Sequence, residues 1–186
     1  FRGRLNSESN IVDLVEEYIN YKWSHPSTVH HLIIHGWGTH LGKLRERFLL
    51  TTSVTIIDRR LSVQDLYSLI SGAAMVLGQF ENQSLDARTK YTIPHKFFEA
   101  MALGKIYASP FHEPLLMYYN FICERCPDLK TLLHGDSLNC WLRFLETLYS
   151  NSGLYKSIRN CISESNHLFM TCLLYTSDAA DEGLGV

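Results

Sequence analysis

Residues 91–105 of the chain read YTIPHKFFEAMALGK, and this stretch says most about its fold and function. Proline is favoured in the first turn of a helix, and glycine is favoured just after the last turn. Pro94 and Gly104 therefore predict a helix over residues 94–103. The N-terminus of a helix presents unpaired N–H groups and a partial positive charge, so it can bind an anion directly.

The first turn of this predicted helix has the groups that a nucleotide diphosphate needs. Pro94, His95 and Lys96 form the helix tip, where the lysine adds a mobile cation for the phosphates. Glu99 follows on the same side of the helix, where its carboxylate can accept two hydrogen bonds from a ribose diol. These residues predict a binding site for a nucleotide diphosphate. A surface Lys–Glu pair on an ordinary helix is the alternative interpretation.

Short apolar strands alternate with helices along the chain. This alternation is typical of βαβ units, and strands that are covered on both faces read as continuous apolar runs. The predicted fold class is therefore α/β, as a Rossmann-like three-layer α/β/α domain with a mainly parallel sheet. Its predicted strands are residues 1–4 (the tail of a strand), 31–35, 53–57, 73–77, 105–109 and 131–133.

Helices are predicted between these strands. Asn10, with Asp13 as its partner, predicts the N-cap of the first helix, and Ser62 with Asp65 predicts the start of another. Residues 78–92 are polar and too long for a routine connection, which indicates a functional loop. The predicted helices cover about residues 11–19, 41–49, 63–70, 94–103, 115–123, 138–149 and 154–169.

Gly36-Trp37-Gly38 follows the strand predicted at 31–35, at the edge where parallel sheets bind ligands. Glycines here let the backbone turn tightly and approach a ligand, so Gly36 and Gly38 are predicted nucleotide-binding residues. His35 and His40 flank this turn and can approach a phosphate or a sugar. A dinucleotide fingerprint is disfavoured, because no third glycine stands at the required spacing. A plain tight turn is the alternative.

Composition limits the classes of function. A chain of 186 residues with 46% hydrophobic content predicts one domain with a real core, and its net charge of −2 favours no nucleic-acid partner. No apolar run reaches the length of a membrane span, and the amino end has no signal-peptide pattern. Five scattered cysteines indicate reduced thiols, which predicts a cytoplasmic location. Cys123 and Cys126 form a lone C-x-x-C, for which a redox or zinc role is the less favoured alternative, so no metal site is predicted.

The end of the chain differs from the rest. Residues 172–182 read CLLYTSDAADE, which looks like the conceptual translation of a sequencing adaptor. The predicted domain therefore covers residues 1–171. Residues 172–186 are expected to be an adaptor-derived or disordered tail.

Four segments together resemble the C-terminal, nucleotide-sugar-binding domain of GT-B glycosyltransferases of the retaining group 1 type. The most specific segment is 94–109, which looks like the family's Glu-Ala-Met-Ala-x-Gly-Lys helix and its following strand. Residues 1–5 look like the opening strand and its Gly-Arg-Leu turn. Residues 32–38 look like the strand with a Gly-x-Gly turn, and residues 66–77 look like the helix and strand before the donor loop. The resemblance covers most of residues 1–170.

The resemblance implies roles for individual residues. Arg4 matches the arginine that faces the donor diphosphate, and Arg4 and Lys96 are the expected catalytic residues. Glu99 matches the second of two family glutamates, which binds the ribose. Tyr91 stands where the first glutamate is expected, and Ser9 stands near the place of a lysine that contacts phosphate. These departures suggest a divergent branch or lost activity.

The resemblance also implies a reaction, the transfer of a sugar from a nucleotide-diphosphate sugar with retained anomeric configuration. It implies neither a cofactor nor an obligatory metal. An N-terminal acceptor domain outside residues 1–186 would complete the cleft, and any peripheral membrane contact would come from that domain. The fragment alone is expected to bind nucleotide weakly without catalysing transfer. The alternatives are a nucleotide-sugar epimerase of GT-B architecture and a non-catalytic Rossmann-like nucleotide-binding or interaction module.

Overall fold

The computed structural model describes residues 1–5, 10–78, 80, 93–110, 113–127 and 137–182, without the side chains of residues 2, 4, 113, 114 and 168–182. The strand predicted at 131–133 lies outside the described residues, as do Ser9 and Tyr91. Most of the loop predicted at 78–92 lies outside them as well.

Parallel strands pair in two groups. β1 (Arg2–Arg4), β2 (Leu32–Trp37) and β3 (Val54–Ile57) form one parallel sheet in the order β1-β2-β3. β4 (Met75–Leu77) and β5 (Ile106–Ala108) form a second parallel sheet. The prediction of a mixed α/β fold with parallel strands is therefore confirmed. The three-layer Rossmann-like arrangement stays a prediction.

Helices occupy much of the remaining described chain, between and after the strands. No described helix contains a stretch both long and apolar enough to cross a bilayer. The helices are α1 (Ile11–Ser24), α2 (Leu41–Phe48), α3 (Val63–Gly72), α4 (His95–Ala102), α5 (Glu113–Arg125), α6 (Leu138–Ser150) and α7 (Ser152–Glu182).

Several boundaries differ from the predictions. α4 begins at His95, because Pro94 is its N-cap and has an extended conformation with φ −69° and ψ 143°. α7 continues to Glu182, past the predicted end at 169, because residues 154–182 contain neither glycine nor proline. The domain boundary at 171 stays a prediction. β2 continues through Gly36 and Trp37, which the sequence predicts as a turn.

The two capping predictions have different outcomes. At α3 the hydroxyl oxygen of Ser62 accepts a hydrogen bond of 3.0 Å from the N–H of Asp65, as predicted. Asn10 is the N-cap of α1, but its side chain makes no capping hydrogen bond, so that part of the prediction is wrong. The backbone of Asn10 has φ 45°, a left-handed conformation that asparagine tolerates better than most residues.

A single aromatic side chain anchors α4. Phe97 is only 1% exposed, and its ring packs edge-on against Tyr107 of β5 and Tyr118 of α5, with centroid distances of 5.5 and 5.3 Å. Such aromatic pairs contribute about 0.5–1.5 kcal/mol each beyond the burial of their area. The predicted site at the start of α4 therefore rests on a helix that is fixed against β5.

Gly104 ends α4 in the way the sequence predicts. Its φ of +62° is left-handed, its N–H donates to Met101 O at 2.9 Å, and the N–H of Lys105 donates to Ala100 O at 2.8 Å. These two bonds are those of a Schellman motif. The chain then enters β5 directly, and the ammonium of Lys105 donates a 2.5 Å hydrogen bond to Ser71 O near the end of α3.

His30, which precedes β2, is buried against α1. Its ring centroid lies 5.6 Å from that of Tyr18 and 6.0 Å from that of Tyr21. Burial lowers the pKa of His30, and the charge of Lys22 lowers it further, whereas Glu146 raises it. The folded protein therefore favours neutral His30.

Replacing His30 by phenylalanine should weaken the pH dependence of stability. Between the lowered pKa and the usual value of 6.5, the unfolded chain binds a proton that the folded protein does not bind. The wild-type free energy of unfolding should therefore fall as the pH falls through this window, and His30→Phe should fall less. Urea unfolding at about pH 5, 6 and 7 measures this slope. His31→Phe, at the exposed neighbouring position, controls for the loss of an imidazole. Equal slopes in wild type and His30→Phe would contradict the lowered pKa of His30.

Candidate functional site

The tip of α4 is partly exposed, and its N-cap residue makes no side-chain capping bond. Pro94 has no side-chain acceptor for the first N–H groups of the helix, and the first backbone bond runs from the N–H of Phe97 to Pro94 O at 2.9 Å. His95 is exposed, and Pro94 and Lys96 are partly exposed. The side chains at the helix tip therefore keep exposed surface through which a small anion can approach.

Lys96 connects α4 to the opening strand of the chain. Its ammonium nitrogen lies 4.3 Å from the centroid of the Phe1 ring, which is the distance of a cation–π contact. A methyl group on Gly3 would lie 3.9 Å from the same nitrogen. The folded chain thus brings the first residues of β1 beside the first turn of α4.

Two other predicted site residues belong to the same elements. Arg4 follows Gly3 in β1, and its backbone pairs with Trp37 in β2, while its side chain lies outside the described atoms. Glu99 lies one helical turn beyond Lys96 in α4 and is partly exposed. The structure therefore brings Lys96 against β1, and it keeps Glu99 accessible on the same helix.

Gly36 and Gly38 allow the backbone of β1 to approach β2 closely. Gly36 is paired with Gly3, and a methyl group on Gly36 would overlap the carbonyl oxygen of Gly3. Gly38 has φ +148°, and a methyl group there would overlap the backbone of Leu5. The predicted tight turn is wrong at Gly36, because the residue continues the strand. The close backbone approach that these glycines permit is to the chain itself, and their nucleotide-binding role stays a prediction.

The two histidines beside these glycines have structural contacts. His35 is buried in β2, and its Nε2 lies 3.2 Å from Arg59 O, so this nitrogen donates to the carbonyl oxygen. His40 is the N-cap of α2, and its backbone N–H donates to Leu5 O at 2.8 Å. Both residues hold elements around β1 and β2 together, and neither contact involves a ligand.

Trp37 is a residue of this region to which the sequence interpretation assigns no role. It is the last residue of β2, it pairs with Arg4, and it is 58% exposed. An exposed aromatic ring beside a predicted phosphate-binding residue offers a surface on which a base or sugar can stack. The available signal was an aromatic residue between two glycines at the carboxyl end of a strand.

Metal-binding chemistry finds little support in the described part of the chain. No group of three or more histidine, cysteine or acidic side chains there is arranged to hold a metal ion. The sulfurs of Cys123 and Cys126 are buried and are not bonded to each other. Within the described residues, the lone C-x-x-C therefore forms no disulfide.

Comparisons with known proteins leave the family of the chain open. No protein-family model matches it. A search of curated proteins also finds no significant match. The function must therefore be inferred from the geometry around α4 and β1 together with the sequence resemblance.

Gly36→Ala should lower the free energy of unfolding by about 1–3 kcal/mol, because the added methyl group overlaps backbone that cannot rotate away. Gly42→Ala is a matched control in α2, where a methyl group would meet no atom within 4 Å. That control should stabilise the protein by roughly 0.5–1 kcal/mol, as alanine is favoured over glycine inside a helix. Urea unfolding compares the two variants. Wild-type stability in Gly36→Ala would refute the close packing of β1 on β2.

Proposed function

We propose that the chain is the donor-binding half of a GT-B glycosyltransferase, which transfers a sugar from a nucleotide-diphosphate sugar with retention. The contact between the tip of α4 and β1 carries this proposal. Lys96 lies 4.3 Å from the Phe1 ring, so the lysine and the strand that contains Arg4 are neighbours. The family resemblance assigns the donor diphosphate to Arg4, and the place of Lys96 at the helix tip predicts the same role for the lysine.

The diphosphate would bind at the first turn of α4. A helix N-terminus carries about half a positive charge, and Lys96 adds a full one. During transfer, the bond between the anomeric carbon and the diphosphate oxygen breaks, and its electron pair leaves with the diphosphate. The helix tip, Lys96 and Arg4 would stabilise the charge that develops there. The acceptor hydroxyl oxygen would then form the new bond to the anomeric carbon, and its O–H bond would break with transfer of the proton to the departing diphosphate.

The nucleoside would lie further along the same helix. Glu99 is partly exposed one turn after Lys96, which supports a role in binding the ribose hydroxyls. Gly36 and Gly38 remain assigned to the nucleotide by resemblance, in addition to their role in the packing of β1. Trp37 adds an exposed aromatic surface for the base or sugar.

The finer fold and the cellular setting belong to the same proposal. The domain would be a three-layer Rossmann-like unit, and an N-terminal domain would supply the acceptor site. The full-length protein would be a cytoplasmic enzyme that needs no metal or cofactor, and the chain alone would be inactive in transfer.

A specific observation favours a second candidate, a non-catalytic Rossmann-like interaction module. The ammonium of Lys96 already contacts the Phe1 ring, and a cation–π contact of this kind stabilises a protein by about 0.5–1 kcal/mol at an exposed site. Lys96 would then serve packing rather than phosphate binding. No such observation favours the epimerase alternative, which needs a histidine or an acidic group placed for proton abstraction. His35 is buried, and its Nε2 is hydrogen-bonded to Arg59 O.

Glu99→Gln should weaken the binding of uridine, guanosine or adenosine diphosphate, whichever binds best, by about tenfold. The variant replaces charge-assisted hydrogen bonds to the ribose with neutral ones. Isothermal titration calorimetry measures the dissociation constant, and Glu124→Gln, an exposed site in α5, is the matched control. The 2′-deoxy nucleotide should lose less affinity upon Glu99→Gln than the ribonucleotide does. An equal loss of affinity for both nucleotides would mean that Glu99 does not bind the ribose hydroxyls.

Lys96→Met should also weaken nucleoside diphosphate binding by roughly tenfold, and it should reduce the dependence of binding on salt. The methionine keeps the apolar stem of the side chain while removing its charge. Lys156→Met, at an exposed position in α7, is the control and should bind like wild type. If Lys96→Met changed only the free energy of unfolding and not the affinity, the interaction module would be favoured over the transferase.

A further inference from the structure

The side chains of Phe1 and Lys96 meet beside the candidate anion site. The ammonium nitrogen lies 4.3 Å from the centroid of the Phe1 ring, which is within the distance of a cation–π contact. Both residues are partly exposed, so a ligand in solution can reach this contact. One partner of the lysine is therefore an aromatic face, which carries no net charge.

The backbone of β2 fixes the position of the ring. The nitrogen of Phe1 donates to Ile33 O at 2.7 Å, and its carbonyl oxygen accepts from the N–H of His35 at 2.8 Å. These two bonds hold Phe1 against β2, immediately before β1 begins. The ring is therefore attached to the same sheet as the backbone of Arg4.

Gly3 leaves the space in which the ring and the ammonium meet. A methyl group on Gly3 would lie 3.7 Å from two carbons of the Phe1 ring and 3.9 Å from the Lys96 nitrogen. These are already contact distances, so the outer atoms of a longer side chain would compete with the ring and the ammonium for the same space. The absence of a side chain at Gly3 thus lets the lysine of α4 reach over β1.

An aromatic partner suits a phosphate-binding lysine better than a carboxylate does. A carboxylate would neutralise the lysine and accept hydrogen bonds from it, and a phosphate would have to displace it. The face of a phenylalanine ring attracts the ammonium without cancelling its charge. It also restricts a long and flexible side chain in advance, which lowers the conformational entropy that ligand binding costs.

We propose that Phe1 is a positioning residue for the diphosphate site. Its ring holds the ammonium of Lys96 beside β1, in the place from which the lysine contacts the phosphates of a nucleoside diphosphate. Phe1 acts through the lysine and touches no phosphate itself. This role rests on the proposed function, because it requires a diphosphate at the tip of α4. The contact between Phe1 and Lys96 then serves ligand binding as well as packing.

Two substitutions at Phe1 test this role in the full chain. Phe1→Leu removes the aromatic face and keeps an apolar side chain, whereas Phe1→Tyr keeps the face. Isothermal titration calorimetry with uridine, guanosine and adenosine diphosphates identifies the nucleotide that binds best and measures its dissociation constant. Phe1→Leu should raise this constant by about three- to fivefold, because the ammonium is no longer held in place. Phe1→Tyr should stay within about twofold of wild type.

A double-mutant cycle distinguishes positioning from a merely structural role. In the Lys96→Met background, Phe1→Leu should leave the dissociation constant unchanged, because there is no ammonium to position. If Phe1→Leu weakened binding as much in that background as in wild type, the ring would act through the fold and the proposal would be overturned.

The other outcomes distinguish the positioning role from the proposed function. If Lys96→Met weakens binding and Phe1→Leu does not, the lysine binds the diphosphate without the ring, and only the positioning role is overturned. Tighter binding by Phe1→Leu would also overturn it, because the ring would then compete with the phosphates for the ammonium. If none of the three nucleotides binds to wild type, or if Lys96→Met binds as tightly as wild type, the proposed function fails and the positioning role fails with it.

Discussion

The packing of β1 on β2 is the constraint on which the rest of the structure depends. It is possible only because Gly3 and Gly36 face each other without side chains and because Gly38 leaves room for the backbone of Leu5. With larger residues at these positions, the two backbones would overlap. The close pairing sets the position of Arg4 beside Trp37 and that of Phe1 beside the tip of α4. The arrangement of the candidate site follows from this one contact.

The position of α4, the other element of the site, depends on aromatic packing and on the glycine that ends the helix. Phe97 is buried among the rings of β5 and α5, and Gly104 ends α4 with the two hydrogen bonds of a Schellman motif. These features fix the direction and the end of α4, so its first turn is held in one place while its outer surface stays accessible. A rigid helix with an accessible N-terminus is a suitable support for a phosphate site, because the N–H groups are oriented before the ligand arrives. Lys96 then joins this half of the molecule to β1.

Local features of the fold could be predicted from the sequence, whereas features that depend on distant residues could not. The cap at Ser62 and the end of α4 at Gly104 each involve residues within one helical turn, and both predictions were correct. The role of Gly36 could not be predicted as packing, because the backbone that it must accommodate comes from β1, far away in the sequence. The sequence indicated Lys96 as a site residue from its place in the helix. Its contact with Phe1 depends on how the strands and α4 pack together, and no local pattern records that arrangement.

The proposed function requires that the first turn of α4 and Arg4 of β1 bind the same anion. This requirement can be tested by titrating the isotope-labelled full chain with inorganic pyrophosphate and following the amide NMR shifts. If both elements bind one anion, the shifts should be saturable and largest at the N–H groups of His95, Lys96 and Phe97, together with those of Arg4 and Leu5. Shifts confined to exposed lysines elsewhere, such as Lys43 and Lys156, or the absence of any saturable shift, would contradict it.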